Sequence, residues 1–134
     1  MAIPSGSGSE VLRNAAINNN NAATAKVDFG GTTGTGSLRS SGNTAGVVAV
    51  PANVIITVLT ITAMAHSANG NITASVDWQG GGTDIHIFKY LTQAADTTFV
   101  FSDKFVLREG DVLKLYNSST NTDWHVSFIY QDWT

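Results

Sequence analysis

The last thirty residues, Phe105 to Thr134, constrain the fold most. Phe105 to Arg108 is a short apolar-rich run, and Glu109-Gly110-Asp111 reads as a turn, because glycine tolerates positive φ and aspartate bonds nearby backbone. Val112 to Asn117 then runs back. Trp124, Val126, Phe128 and Tyr130 alternate with His125, Ser127, Ile129 and Gln131, the period of a strand with one face buried. Three strands joined by tight turns within so short a stretch predict an antiparallel sheet that earlier strands must complete.

Upstream, the same period recurs. Ala25 to Phe29 and Val47 to Val50 are short strand candidates, the second closed by Pro51. Asn53 to His66 is the longest, with Val54, Ile56 and Val58 on one face and Ile55, Leu59 and Ile61 on the other. A strand apolar on both faces is expected to lie centrally, between the core and a second layer or another subunit. Asn69-Gly70 predicts a hairpin into Ile72, Ala74, Val76 and Trp78, which alternate with polar residues. Asp84 to Leu91 places Ile85, Ile87 and Leu91 opposite Asp84, His86, Phe88 and Tyr90, and Thr97 to Ser102 follows. Eight or nine short strands with frequent turns predict an all-β fold, an antiparallel β-sandwich or jelly roll.

Residues 1 to 23 differ in composition. Ser5 to Ser9 and Asn18 to Asn21 are linker-like. Between them Val11, Leu12, Ala15 and Ala16 sit at helical spacing, with Ser9 as a possible cap. So short a helix is unstable alone, and the segment reads as an extended N-terminal arm that orders on a partner, ahead of a sandwich domain over residues 24 to 134. Gly30 to Gly46, almost wholly glycine, serine and threonine, is expected to be a long surface loop.

The chemistry that the chain excludes is informative. It has no cysteine, so disulfide and thiolate chemistry are absent. A net charge of −3 with seven scattered basic residues offers no stripe for nucleic acid. The start lacks the pattern of a signal peptide, and the apolar run Val54 to Ala65 is too short to span a membrane as a helix, so a soluble protein made in the cytoplasm is expected. No GxxxxGK[ST], GxGxxG or G-x-S-x-G pattern is present. Asp84 and His86 share a face and could supply two metal ligands, but no third is written beside them. The reading is therefore of a protein with no catalytic site, no metal and no cofactor. Trp78, Trp124 and Trp133, with Tyr90, Tyr116 and Tyr130, are the residues able to make a sugar-stacking shelf, though aromatics within strands more often fill cores.

Met-Ala-Ile-Pro-Ser-Gly-Ser-Gly, then Glu10-Val11-Leu12-Arg13, then a β body closing with FVLREGDVLKLYN and WHVSFIYQDW, resembles small virion structural proteins of tailed bacteriophages, cyanophages and marine phages in particular. The closing segment with Leu107, Gly110-Asp111 and Leu113 is also similar to trimeric jelly rolls such as the tumour necrosis factor superfamily. The first resemblance implies a non-enzymatic capsid decoration or cement protein, a trimer seated on the major capsid protein of the virion. On that reading Ile3, Val11, Leu12 and Ile17 supply apolar anchors to the shell, with Glu10 and Arg13 giving polar register. Val54, Ile56 and Val58 would then form the subunit interface. The alternative expectation is a tail or tail-fibre module whose tryptophans and Gly30 to Gly46 loop contact host glycan.

Overall fold

In a computed structural model, residues 8–19, 24–29, 37–40, 49–66, 68–118 and 121–133 are described, with Ile17 and 37–40 described by backbone alone. Two five-stranded antiparallel sheets face one another. The strands are β1 (Ser9–Asn19), β2 (Thr24–Asp28), β3 (Ser37–Ser40), β4 (Val54–Ala65), β5 (Gly70–Asp77), β6 (Asp84–Gln93), β7 (Thr98–Phe101), β8 (Phe105–Leu107), β9 (Val112–Asn117) and β10 (Thr122–Asp132). Sheet A runs β1-β10-β4-β7, with β8 beside β7 on the same edge of β4; sheet B runs β3-β2-β9-β5-β6. The all-β sandwich expected from the alternation is what forms, and the strand order is that of a jelly roll.

The path between strands differs from expectation. The predicted closing sheet of three consecutive strands does not exist, because β8 and β10 lie in sheet A and β9 in sheet B. The Glu109-Gly110-Asp111 turn carries the chain from one layer to the other. Asn69-Gly70 likewise sits in a crossing between β4 and β5, not in a hairpin. A turn signal specifies a reversal but not which sheet receives the returning strand; that is decided by which faces are apolar. Ala49 and Val50 are not in a strand, whereas residues 37–40, inside the expected loop, pair with β2.

The core contains Phe29, Ile61, Leu113, Leu115, Trp124, Val126 and Phe128, all fully or almost fully buried. Val54, Ile56 and Val58 belong to it too. The expectation that these three form a subunit interface is therefore corrected: they face sheet B. A bulge in β4 explains the phase of this strand. Val58 pairs with Phe128 but Thr60 with Ser127, so Leu59 is the extra residue. That shift turns Ile61, expected on the outward face, into the core, and leaves Ile55, Thr57, Thr62 and Met64 facing out.

The N-terminal segment also differs from expectation. Residues 9 to 19 are neither a helix nor an arm apart from the body; they form the edge strand of sheet A, paired with β10 along its length. Helical spacing of Val11, Leu12, Ala15 and Ala16 competed with a ladder of backbone hydrogen bonds, and the ladder supplies far more partners than one or two isolated turns. Ala15 is buried and Leu12 faces solvent, which sets the inward and outward sides of the strand.

Candidate functional site

The outward face of sheet A is the surface on which the predicted partner-binding residues can be tested. Leu12, Ile129, Thr57 and Val106 are successive register partners across β1, β10, β4 and β8. They form a row at right angles to the strands. Ala16, His125, Thr62 and Val100 form a second row across β1, β10, β4 and β7. Leu12 is 71% exposed, Val106 62% and Val100 56%. Scattered exposed apolar residues are ordinary, but several grouped on one sheet face are a mark of interaction surfaces; the first row is apolar except for Thr57, whereas His125 and Thr62 interrupt the second.

The expected anchors are divided between two sides of β1. Glu10 and Leu12 are on the outward side, where Gln131 Nε2 donates to Glu10 Oε2 at 2.9 Å. Val11 and Arg13 share the side of the buried Ala15. The Arg13 guanidinium lies 3.8 Å from the centre of the Tyr130 ring, a contact that orders the long side chain against the end of the core. The backbone of Ile17 pairs with Trp124. Ile3 lies outside the described residues. The structure thus brings Glu10 and Leu12 onto the face that the two rows define.

At one end of this face, His66 and Asp123 are joined by a 2.6 Å contact between Nε2 and Oδ2. Asn18 Nδ2 donates to Asp123 Oδ1 at 2.5 Å and to Asn121 Oδ1 at 2.7 Å. Partial burial acts to raise the Asp123 pKa, but the hydrogen bonds from Asn18 and His66 and the His66 charge outweigh it, leaving the carboxyl below its ordinary value. The cluster clips the end of β1 to β10 and to the exit of β4.

The remaining candidates separate clearly. Trp124 is in the core and cannot be a glycan shelf; its indole donates to Asn117 Oδ1 at 2.9 Å. Trp78 is exposed at the mouth of an apolar cleft of about 460 Å³ with Ile85, Phe105, Val106 and Leu107. Its turn is fixed from below by Asp111, whose carboxylate accepts from Gln79 N at 3.0 Å and Arg108 N at 3.1 Å. His86 and Asp84 both line a depression on the outward face of sheet B. Among the described residues no three His, Asp or Glu side chains are grouped to hold a metal. Sequence reasoning missed the depression because its residues come from four strands whose order is set by the crossings.

The sequence matches no known family model and no curated protein. Among solved structures, the chain is similar to one from the Bacillus endospore appendages, a novel family of disulfide-linked pili, at 11% identity and a TM-score of 0.46, over 98% of this chain and 95% of that one. It is also similar to the Eiger TNF from S. frugiperda, at 14% identity and a TM-score of 0.39, over 90% of each chain.

Proposed function

We propose that this protein is a non-enzymatic structural subunit of a tailed-phage particle, a decoration protein that associates with copies of itself and binds the major capsid protein. The observation that carries the reading is the outward face of sheet A, where the row of Leu12, Ile129 and Val106 is interrupted only by Thr57, with Leu12, Val100 and Val106 standing in water. Removing such residues from solvent is the dominant favourable term in association. A second copy offers the same surface, and closed symmetry lets like subunits bury it without open-ended growth. A trimer is the closed form that the resemblance implies. Three linked copies would then hold the shell through many weak contacts with a raised effective concentration.

The test has two arms. Sedimentation equilibrium should give a discrete oligomer for the native chain and a monomer for Leu12→Glu paired with Val106→Glu. Purified protein added to particles lacking it should then decorate the head lattice in many copies, with the double variant failing to do so. A native monomer would remove the self-association, and density confined to the tail would remove the capsid assignment in favour of a tail component. Deleting residues 1 to 20 is not a usable test, since it removes β1 from sheet A.

A further inference from the structure

The outward face of sheet B carries the inference, and it stands whatever partner sheet A has. On β5, Ile72 and Ala74 point into the core, so Thr73, Ser75 and Asp77 point out. Register places Thr24, Tyr116 and Thr73 in one row across β2, β9 and β5, and Lys26, Lys114, Ser75 and His86 in the next, which reaches β6. Although outward-facing, Thr73 and Ser75 are only 8% and 5% exposed, because neighbouring side chains stand above them. They are the floor of a depression of about 200 Å³.

Two irregularities in β6 build its rim. Ala74 pairs with Phe88 but Ser75 with His86, and Ile72 pairs with Leu91. The first slip lets Ile87 and Phe88 both pack against the core, correcting the simple alternation expected for this strand. The second sets Lys89 and Tyr90 together against Thr73. Tyr90 is held at a φ of 52°, a left-handed conformation that a bulky residue adopts only under constraint. The constraint is visible: the Thr73 hydroxyl accepts a 3.0 Å hydrogen bond from the Tyr90 amide. The result is an aromatic ring 63% exposed at the edge of a polar hollow. Glycine would adopt this backbone without strain, so the fold alone gives no reason for tyrosine.

The other wall is a charge pair. Lys114 Nζ lies 3.0 Å from Asp84 Oδ1 and 3.7 Å from Asp77 Oδ2, so this cation is already neutralised, and Lys89 is the second lysine lining the hollow. A phosphate or sulfate would have to compete with Asp84 for Lys114. A neutral ligand with adjacent hydroxyls would not: one hydroxyl can donate to Asp84 while its neighbour accepts from Lys114, a charge-assisted pair of bonds. The Tyr90 ring offers a flat apolar surface beside them. Lys89 approaches that ring at 5.3 Å, a weak contact at an exposed site that a ligand displaces at small cost. We infer that the hollow between Tyr90, Tyr116 and the Asp84–Lys114 pair is a binding site for one pyranose ring of a neutral glycan, stacked on Tyr90. The hollow is smaller than the roughly 300–1,000 Å³ of a pocket for drug-sized ligands, and suits a single ring with the rest of the chain in solvent.

The experiment uses the intact protein on an array of glucose-, galactose-, mannose- and N-acetylglucosamine-terminated oligosaccharides beside sialylated and sulfated ones. The expected result is binding to a neutral terminus, weakened roughly twofold to tenfold by Tyr90→Gly, as loss of an aromatic contact predicts, and weakened also by Asp84→Asn. Tyr90→Gly should keep or raise the melting temperature, because it relieves the backbone at that position. A damaged fold therefore cannot account for lost binding. No binding anywhere on the array would overturn the inference, as would binding only to acidic glycans or binding that Tyr90→Gly leaves unchanged.

Discussion

The indole of Trp124 on β10 donates a 2.9 Å hydrogen bond to Oδ1 of Asn117, the last residue of β9, tying the two sheets together at one end of the sandwich. The same oxygen accepts from Asn19 Nδ2 at 2.7 Å. One buried amide therefore satisfies donors from two other strands, β1 and β10. A polar group at such a position costs little while its partners remain and a great deal once they are stranded.

Asn117→Leu should accordingly destabilise the protein by about 3 kcal/mol, since it removes the acceptor that the buried Trp124 indole and Asn19 amide share. Trp124→Phe should lose the bond without stranding a donor, though the smaller ring adds a packing loss. Urea titrations followed by far-ultraviolet circular dichroism would measure the first, and an Asn117→Leu midpoint equal to the native one would contradict the account.

Asp111 is buried and its two oxygens hold amides from two turns, those of Gln79 and Arg108. Asp111→Ala should cost about 2 kcal/mol, the range for hydrogen bonds to a charged acceptor. It should also loosen the Trp78 turn, where Arg108 lies 5.7 Å from the indole. Trp78 emission and its quenching by iodide would report the loosening, and Asp111→Asn should recover part of the loss.

Acid should weaken the clip between β1 and β10. The Asp123 carboxyl titrates below its ordinary value of 3.8 when the protein is folded. Its contribution to stability is therefore complete above about pH 4 and is lost as the pH falls through the lowered folded value. Stability measured from pH 6 down to pH 2 should fall less steeply in Asp123→Asn than in the native chain. Identical slopes would show that the Asn18 and His66 contacts do not hold the carboxylate.

Leu12→Glu and Ile56→Ala should behave oppositely, because one residue faces water and the other faces sheet B. Ile56→Ala should cost about 2–5 kcal/mol through transfer and cavity terms. Leu12→Glu should change the stability of an isolated subunit by no more than about 0.5 kcal/mol, while shifting sedimentation toward the monomer. Denaturant titration at several protein concentrations separates the two effects.

Much of the architecture was legible in the alternation of residues such as Trp124, Val126 and Phe128, whose inward side is one clean face of a strand. The layer to which each strand belongs was not. Glu109-Gly110-Asp111 and Asn69-Gly70 announce reversals, yet both carry the chain across the sandwich. The faces of β4 could not be read beyond Leu59, because a bulge adds a residue without leaving a mark in composition. Val54, Ile56 and Val58 were legible as one face, but apolar residues on both sides gave no way to choose which side met the core. The hollow on sheet B depends on Tyr90 adopting a conformation that nothing in KYLTQ announces, and on register among four strands.

The pairing of β1 with β10 has a bearing on how the molecule is made. The strand nearest the start of the chain and β4 both find their ladder partner in the strand nearest its end. While residues 122 to 132 are still within the ribosome, sheet A has no middle, and β1 and β4 have nothing between them to join. Acquisition of the native state must therefore await the emergence of β10, and a fold so dominated by distant pairings is slow to assemble. During that interval the strand edges lie open to neighbouring nascent chains, so yield in the cell should respond more strongly to chaperone supply than the finished protein's stability would imply.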